Sequence, residues 1–289
     1  MRIVGHKLEG ATYQAAHYIG EKISPEIVIL HDTAGRLTKG NSATYLASDN
    51  TGKVSVHFVV ERDGTITQLV PTNCRANHAG RSSYHGRAWC NAFSIGIEIV
   101  NPGRMTAIPG RPHAGRAWYG EIFDDPDSIV AMETPEHGAG VWMAYSEAQI
   151  DALIELLQAL FAGVRGLKDI TTHWYVSPGR KVDTNPLFPL EHIRARILGR
   201  EDPADDAAEN NSSRAPDGET VQVDAGGDTL NLRRWPSFNP NVIATIPDGA
   251  ILPVLRDGRF GGRRWLCVLY GGREGWIVAS YTAPITFNS

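Results

Sequence analysis

Cysteine is scarce in this chain, with three residues in 289. Cys74, Cys90 and Cys267 show neither the paired spacing of a zinc finger nor that of a redox motif. A disulfide-dense scaffold is thereby excluded, and buried or free thiols are expected; a Cys74–Cys90 bridge stays open, though nothing in the sequence demands one. Basic charge is not in excess either. Lys and Arg number 28 against 32 Asp and Glu, a formal net charge of -4, so the chain has no surplus with which to neutralise many phosphates. Nucleic acid is not an expected partner. Long apolar runs are also missing, since no stretch reaches the ~20 residues that span a bilayer, and no membrane partner is expected. The N-terminal MRIVGHKLEGATYQ lacks a basic segment followed by an apolar core. The expectation is synthesis in the cytoplasm without a conventional signal peptide, any substrate outside the membrane being met after release or export.

What is present is ordinary globular material, 42% hydrophobic and 21% charged, in a length that favours two domains or one large one. The composition changes at GREDPADDAAENNSSRAPDGET, which is acidic, small and polar and has almost nothing to place in a core. The expected organisation is therefore a domain over 1–199, a flexible acidic linker over 200–219 and a second domain over 220–289. In the first, strand-like runs (IVIL, VSVHFVV, SIGIEIV) alternate with helical patterns, which predicts an α/β fold with a mixed central sheet flanked by helices. The clearest helix begins at Ser146, a cap residue, and aligns Ile150, Leu153, Leu157 and Leu160 on one face. After the linker, NLRRWPS, NVIATIPDGA, ILPVLRDG, RRWLCVLY and GGREGWIVASY predict five short strands of a small all-β barrel.

Chemistry concentrates in the first domain. A lone histidine ending an apolar strand is usually structural, but His31 opens the polar loop HDTAG directly after EIVIL, where a rigid strand hands a side chain to a surface. His173 ends the apolar stretch KDITTHW, and Asp183 follows across WYVSPGRKVD. Two histidines and one carboxylate leave a tetrahedral position open, the property that separates catalytic from structural zinc. Glu98 lies inside SIGIEIV, on the face of Gly96 by strand alternation. A carboxylate there needs a partner, either a buried salt bridge or a general-base role beside metal-held water.

HDTAG, VSVHFVVERDGTITQLV, NHAG, SIGIEIVNPG, YSEAQIDAL and THWYVSPGRKVDTNP, in this order, resemble the zinc amidase family that includes phage lysins, wall-recycling amidases and peptidoglycan recognition proteins. The resemblance covers roughly residues 24 to 199 and rests on the ordered series, each piece being weak alone. It implies an N-acetylmuramoyl-L-alanine amidase: His31, His173 and Asp183 as ligands of a zinc cofactor, Glu98 as the catalytic acidic residue and Lys181 as the cation near the scissile carbonyl. Asp183 would place the chain with the aspartate branch, where some relatives carry Cys. The implied partner is bacterial peptidoglycan or its soluble muropeptides. A recycling amidase acting in the cytoplasm and a non-catalytic recognition module are the alternatives.

Other residues carry less. His78, in NHAG, resembles a position lining the substrate groove, and His57, in VSVHFVV, is either substrate-facing or structural. His6, His17, His85, His113, His137 and His192 show no ligand spacing. The segment from Asn101 to Tyr145 is too long for a connector; its Trp118, Tyr119 and Trp142 would either form a lip over substrate or pin the segment to the body. Residues 220 to 285 resemble bacterial SH3-like domains, which would tether the enzyme to the wall. Trp235, Trp265 and Trp276 fit a barrel core and a ligand platform equally.

Overall fold

After Glu26, the run IVIL is apolar throughout because the strand it opens, Ile27–Asp32, is buried on both faces, as strands inside a parallel sheet are. The computed structural model describes residues 1–198, 220–233, 236, 242–260 and 263–285. In the first part, β1 (Thr12–Tyr13), β2 (Ile27–Asp32), β3 (Phe58–Val60), β4 (Ile66–Gln68), β5 (Ser94–Ile99) and, after an excursion, β11 (Asp169–Thr172) form one six-stranded sheet. Its order is β11-β2-β5-β3-β4-β1, and all pairs are parallel except β3 with β4. The mixed α/β expectation agrees with this arrangement.

Helices are few: α1 (Asn41–Ala47), α2 (Glu147–Gly163), α3 (His173–Val176) and α4 (Leu190–Leu198). The α2 start follows from its residues. Ser146 accepts from the Gln149 backbone while the Gln149 side chain reaches back to the Ser146 backbone, a capping box worth roughly 1 kcal/mol. Ile150, Leu153, Leu157 and Leu160 are buried as the periodicity predicts, each contributing about 1.5–3 kcal/mol by burial. No helix of the described residues is long and apolar enough to cross a membrane.

The excursion from Asn101 to Tyr145 has its own structure. Strands β6 (Thr106–Ile108), β7 (Arg111–Arg116) and β8 (Ile122–Asp124) form a three-stranded antiparallel sheet, and β9 (Ile129–Thr134) pairs with β10 (Gly138–Met143) as a hairpin. Met105, Ala117, Ile129, Val141 and Met143 make a small core between them. Trp142 is packing: its ring is fully buried.

The chain divides into two compact units, Met1–Leu190 and Glu191–Ser289. The division falls at the start of α4, earlier than the expected 199; the expected linker over 200–219 lies outside the described residues. In the second unit β12 (Thr220–Val223), β13 (Thr229–Arg233), β14 (Val242–Pro247), β15 (Ile251–Phe260), β16 (Arg263–Tyr270), β17 (Arg273–Val278) and β18 (Thr282–Pro284) form one sheet ordered β14-β13-β17-β16-β15-β12-β18. Seven strands replace the five expected. The two extra, β12 and β18, are short and pair with each other across the length of the unit, a non-local contact that local patterning does not reveal. Trp265 and Trp276 are buried, which removes them as an exposed platform, and Trp235 lies outside the described residues. All three cysteines are buried and free.

Candidate metal centre

Strand register assembles the site. β2 pairs with β5 so that His31 faces Glu98, and β11 pairs with β2 so that Thr172 faces Leu30. His173, next in the chain, therefore emerges beside His31. Three functional side chains stand in a row at the carboxyl ends of parallel strands, where α/β sheets present their ligands. Asp183 arrives from the loop after α3. His31 Nδ1 and His173 Nδ1 lie 2.9 Å apart, and Asp183 Oδ2 lies 2.9 Å from His173 Nδ1 and 3.4 Å from His31 Nδ1. Among the described residues these three form the one group spaced to hold a metal ion.

The hydrogen-bond network states which nitrogens carry protons. Ser94 Oγ donates to Cys90 O at 2.6 Å and so accepts from His78 Nε2 at 3.2 Å. His78 Nδ1 is then an acceptor, and His31 Nε2 donates to it at 2.9 Å. His31 Nδ1 is left with a bare lone pair. His173 has an acceptor for an Nε2 proton in Ala79 O at 3.2 Å, and that tautomer leaves its Nδ1 lone pair free as well. Two nitrogen lone pairs and a carboxylate oxygen thus converge, an arrangement that repels itself unless a cation lies among them. The donor set fits a divalent metal. Burial, and after it the neighbouring His173, pulls His31 down to about 4, so the imidazole is neutral at physiological pH.

Gly96 makes room for this relay. A Cβ there would meet the His78 ring at 2.5 Å, so a side chain at 96 would displace the residue that orients His31. His78→Ala is expected to lower metal affinity about tenfold, the lower end of the range for partners of this kind. Chelator competition measures it; an unchanged affinity would show that His31 needs no orienting partner.

Glu98 stands beside the trio with Oε2 buried and without a hydrogen-bond partner. Burial, then the charges of Asp183 and Asp32, push its carboxyl well above the ordinary range, and Lys181 opposes them. The salt-bridge reading of Glu98 finds no ion pair among the described residues, and Oε2 is available to a group outside the chain. Lys181 is half-buried on the Asp183 loop, close enough for its charge to act on both His31 and Glu98.

Two expected substrate contacts are corrected. His57 is fully buried, donating from Nε2 to Cys74 O at 2.9 Å and accepting at Nδ1 from the Gly96 backbone at 3.0 Å; both ring nitrogens are spent on backbone, which makes it a brace between strands. His78 is also buried and lies behind His31. Trp118, by contrast, is 78% exposed with its Nε1 donating to Ala34 O, and Tyr119 donates to Gly35 O at 2.9 Å. Both aromatic residues stand on the HDTAG loop.

Other residues of the site had no expected role. Asp32, on the opposite face of β2 from His31, accepts from Tyr145 Oη at 2.7 Å and from the Asn185 backbone at 2.9 Å. Burial pushes its carboxyl up to about 8 against the opposing Tyr145 bond. Arg180 donates to Ala79 O and Arg81 O and ties the NHAG loop to the chain after α3. Only the neighbouring motif letters in HDTAG and VDTNP hinted at Asp32 and Asn185.

The profile of the N-acetylmuramoyl-L-alanine amidase family matches residues 21–186, a span that contains every residue of this cluster. The chain belongs to that family. Among its relatives, the 1,6-anhydro-N-acetylmuramyl-L-alanine amidase AmpD of Haemophilus influenzae is 51% identical over 155 residues, 53% of this chain and 64% of that protein. AmpD of Salmonella typhimurium is 32% identical over 146 residues, 50% of this chain and 58% of that protein. The chain thus spans less than two thirds of the length of these relatives. A crystal structure of a selenomethionine AmpD derivative aligns with a TM-score of 0.47 and 26% identity, over 69% of this chain and 98% of that one.

Proposed function

We propose that the chain is a zinc-dependent N-acetylmuramoyl-L-alanine amidase that hydrolyses the amide between N-acetylmuramic acid and L-alanine. The convergence of the His31, His173 and Asp183 lone pairs beside the unpartnered Oε2 of Glu98, inside the family span, carries this reading. A zinc ion held by His31, His173 and Asp183 supplies Lewis acidity toward the amide carbonyl and acidifies water. Glu98 takes a proton from the attacking water at Oε2 and delivers it to the departing alanine amine, the two proton transfers that amide hydrolysis requires. Lys181 places positive charge where negative charge develops on the carbonyl oxygen. Trp118 and Tyr119 stand on the HDTAG loop, and the exposed, hydrogen-bonded indole is a rigid face for sugar or peptide.

The all-β second unit is read as an SH3-like wall-binding barrel that raises local concentration on a fixed polymer. The AmpD relatives are named for 1,6-anhydro muropeptide chemistry, which favours soluble muropeptides as substrates of the first unit by itself. Mass spectrometry of digests distinguishes the roles. The full chain is expected to release intact stem peptides with a free L-alanine amine from both sacculi and soluble muropeptides. A chain ended near Ala208 is expected to keep the soluble activity and to lose about tenfold or more on sacculi, as loss of tethering dictates. Muramyl–alanine bonds left uncut by the zinc-loaded chain would overturn the amidase reading, and equal loss on both substrates would overturn the tethering role.

A further inference from the structure

We propose that the segment between Asn101 and Tyr145 is a bracket that holds the two metal-bearing loops in binding geometry, with His137 as the positioning residue for the Asp183 loop. The proposal rests on the zinc reading above. The ligands come from distant parts of the chain, His31 from the end of β2 and Asp183 from the loop after α3, and one contiguous segment touches both loops. On the His31 side, Trp118 Nε1 donates to Ala34 O at 2.6 Å and Tyr119 Oη donates to Gly35 O at 2.9 Å. The Arg36 guanidinium lies 4.9 Å over the Tyr119 ring, and Leu37 packs on the excursion's small core. Residues 34 to 37 are thereby fixed from one direction.

On the Asp183 side the contact is His137, at the tip of the β9–β10 hairpin. Thr184 O can only accept, and Thr134 Oγ1, which accepts from the His137 backbone N–H at 3.2 Å, is left to donate to His137 Nδ1 at 2.6 Å. Nε2 then carries the proton and donates to Thr184 O at 2.9 Å. The ring is buried between Trp142 and Trp174, with centroids 5.9 and 5.6 Å away. Asp183 O itself accepts from the Trp174 backbone at 2.7 Å, and Asn185 Nδ2 donates to Met143 O at 2.9 Å. The peptide units on both sides of Thr184 are thus anchored, two of the anchors coming from the excursion. Loops are the least stable parts of a fold. A metal site whose loops spread apart binds with an affinity reduced by the fraction of time its ligands are assembled, and the bracket raises that fraction.

Zn2+ affinity, measured by chelator competition on the full chain, tests this together with the melting midpoint of each zinc-free variant. His137→Ala is expected to weaken Zn2+ binding about tenfold. His137→Gln, whose amide N–H still reaches Thr184 O, is expected to restore most of the loss, and Tyr119→Phe to weaken binding by a smaller factor. Zinc-free midpoints should hardly move. Unchanged affinity in His137→Ala, equal affinities in the Ala and Gln variants, or a zinc-free midpoint that collapses in parallel would each reduce His137 to a packing residue and overturn the proposal. A wild-type chain that binds no Zn2+ would instead overturn the zinc reading itself, and the bracket with it.

Discussion

Asp183→Ala is expected to lower zinc affinity by more than about 100-fold, beyond the range for residues that only orient a ligand, and to remove hydrolysis with it. The expectation follows from charge as much as from ligand count. His31 and His173 present ring nitrogens, and Asp183 is the only carboxylate among the three donors. Without it, two lone pairs 2.9 Å apart face each other with no negative group to draw a dication between them. Asp183→Cys is the informative companion, since a thiolate restores an anionic zinc ligand at the same place. Elemental analysis after gel filtration and chelator competition read both variants. If Asp183→Ala retains stoichiometric zinc at wild-type affinity, the third ligand is another group and the assignment of the trio is wrong.

The parts of this site that were legible in the sequence share one property: each stands at the end of an apolar strand run or in the loop just beyond it. His31 after EIVIL, His173 after KDITT and Glu98 within SIGIEIV could be placed because strand patterning gives both the element and the facing direction. What the linear chain hides is register. His78 looks like a groove residue until the pairing of β2 with β5 sets His31 opposite Glu98 and Ile29 opposite Gly96, and only then does the ring have its place against Gly96 and behind His31. His137 was set aside for want of ligand spacing, a test that finds ligands and misses the residues that hold a ligand's loop. The excursion strands, such as RPHAGR, alternate too poorly to be read, because only Ala114 and Gly115 of β7 are buried. Asp32 followed His31 in plain view, but its partners Tyr145 and Asn185 lie far along the chain.

Glu98→Gln is expected to keep zinc and fold while lowering turnover by about two orders of magnitude or more, the scale of a lost general base. The substitution is close to isosteric, so the packing around β5 stays and only proton affinity changes. A second readout separates a functional carboxylate from a structural one. The groups facing it are Asp183 and Asp32, which raise its proton affinity, and Lys181, which lowers it, and burial raises it further. A folded-state pKa above the unfolded one means that stability is complete at acid pH and declines as pH rises from the unfolded value toward the folded one. At neutral pH the wild-type zinc-free protein therefore carries a cost that Gln removes. The zinc-free variant should melt a few degrees above wild type at pH 7, and the gap should close as pH falls well below the unfolded-state value, where the wild-type carboxyl is protonated in both states. A destabilised variant at pH 7 would mean that Glu98 anchors the fold. Full turnover in a zinc-loaded variant would mean that the proton is carried by another group, and Glu98 would lose its place in the reaction.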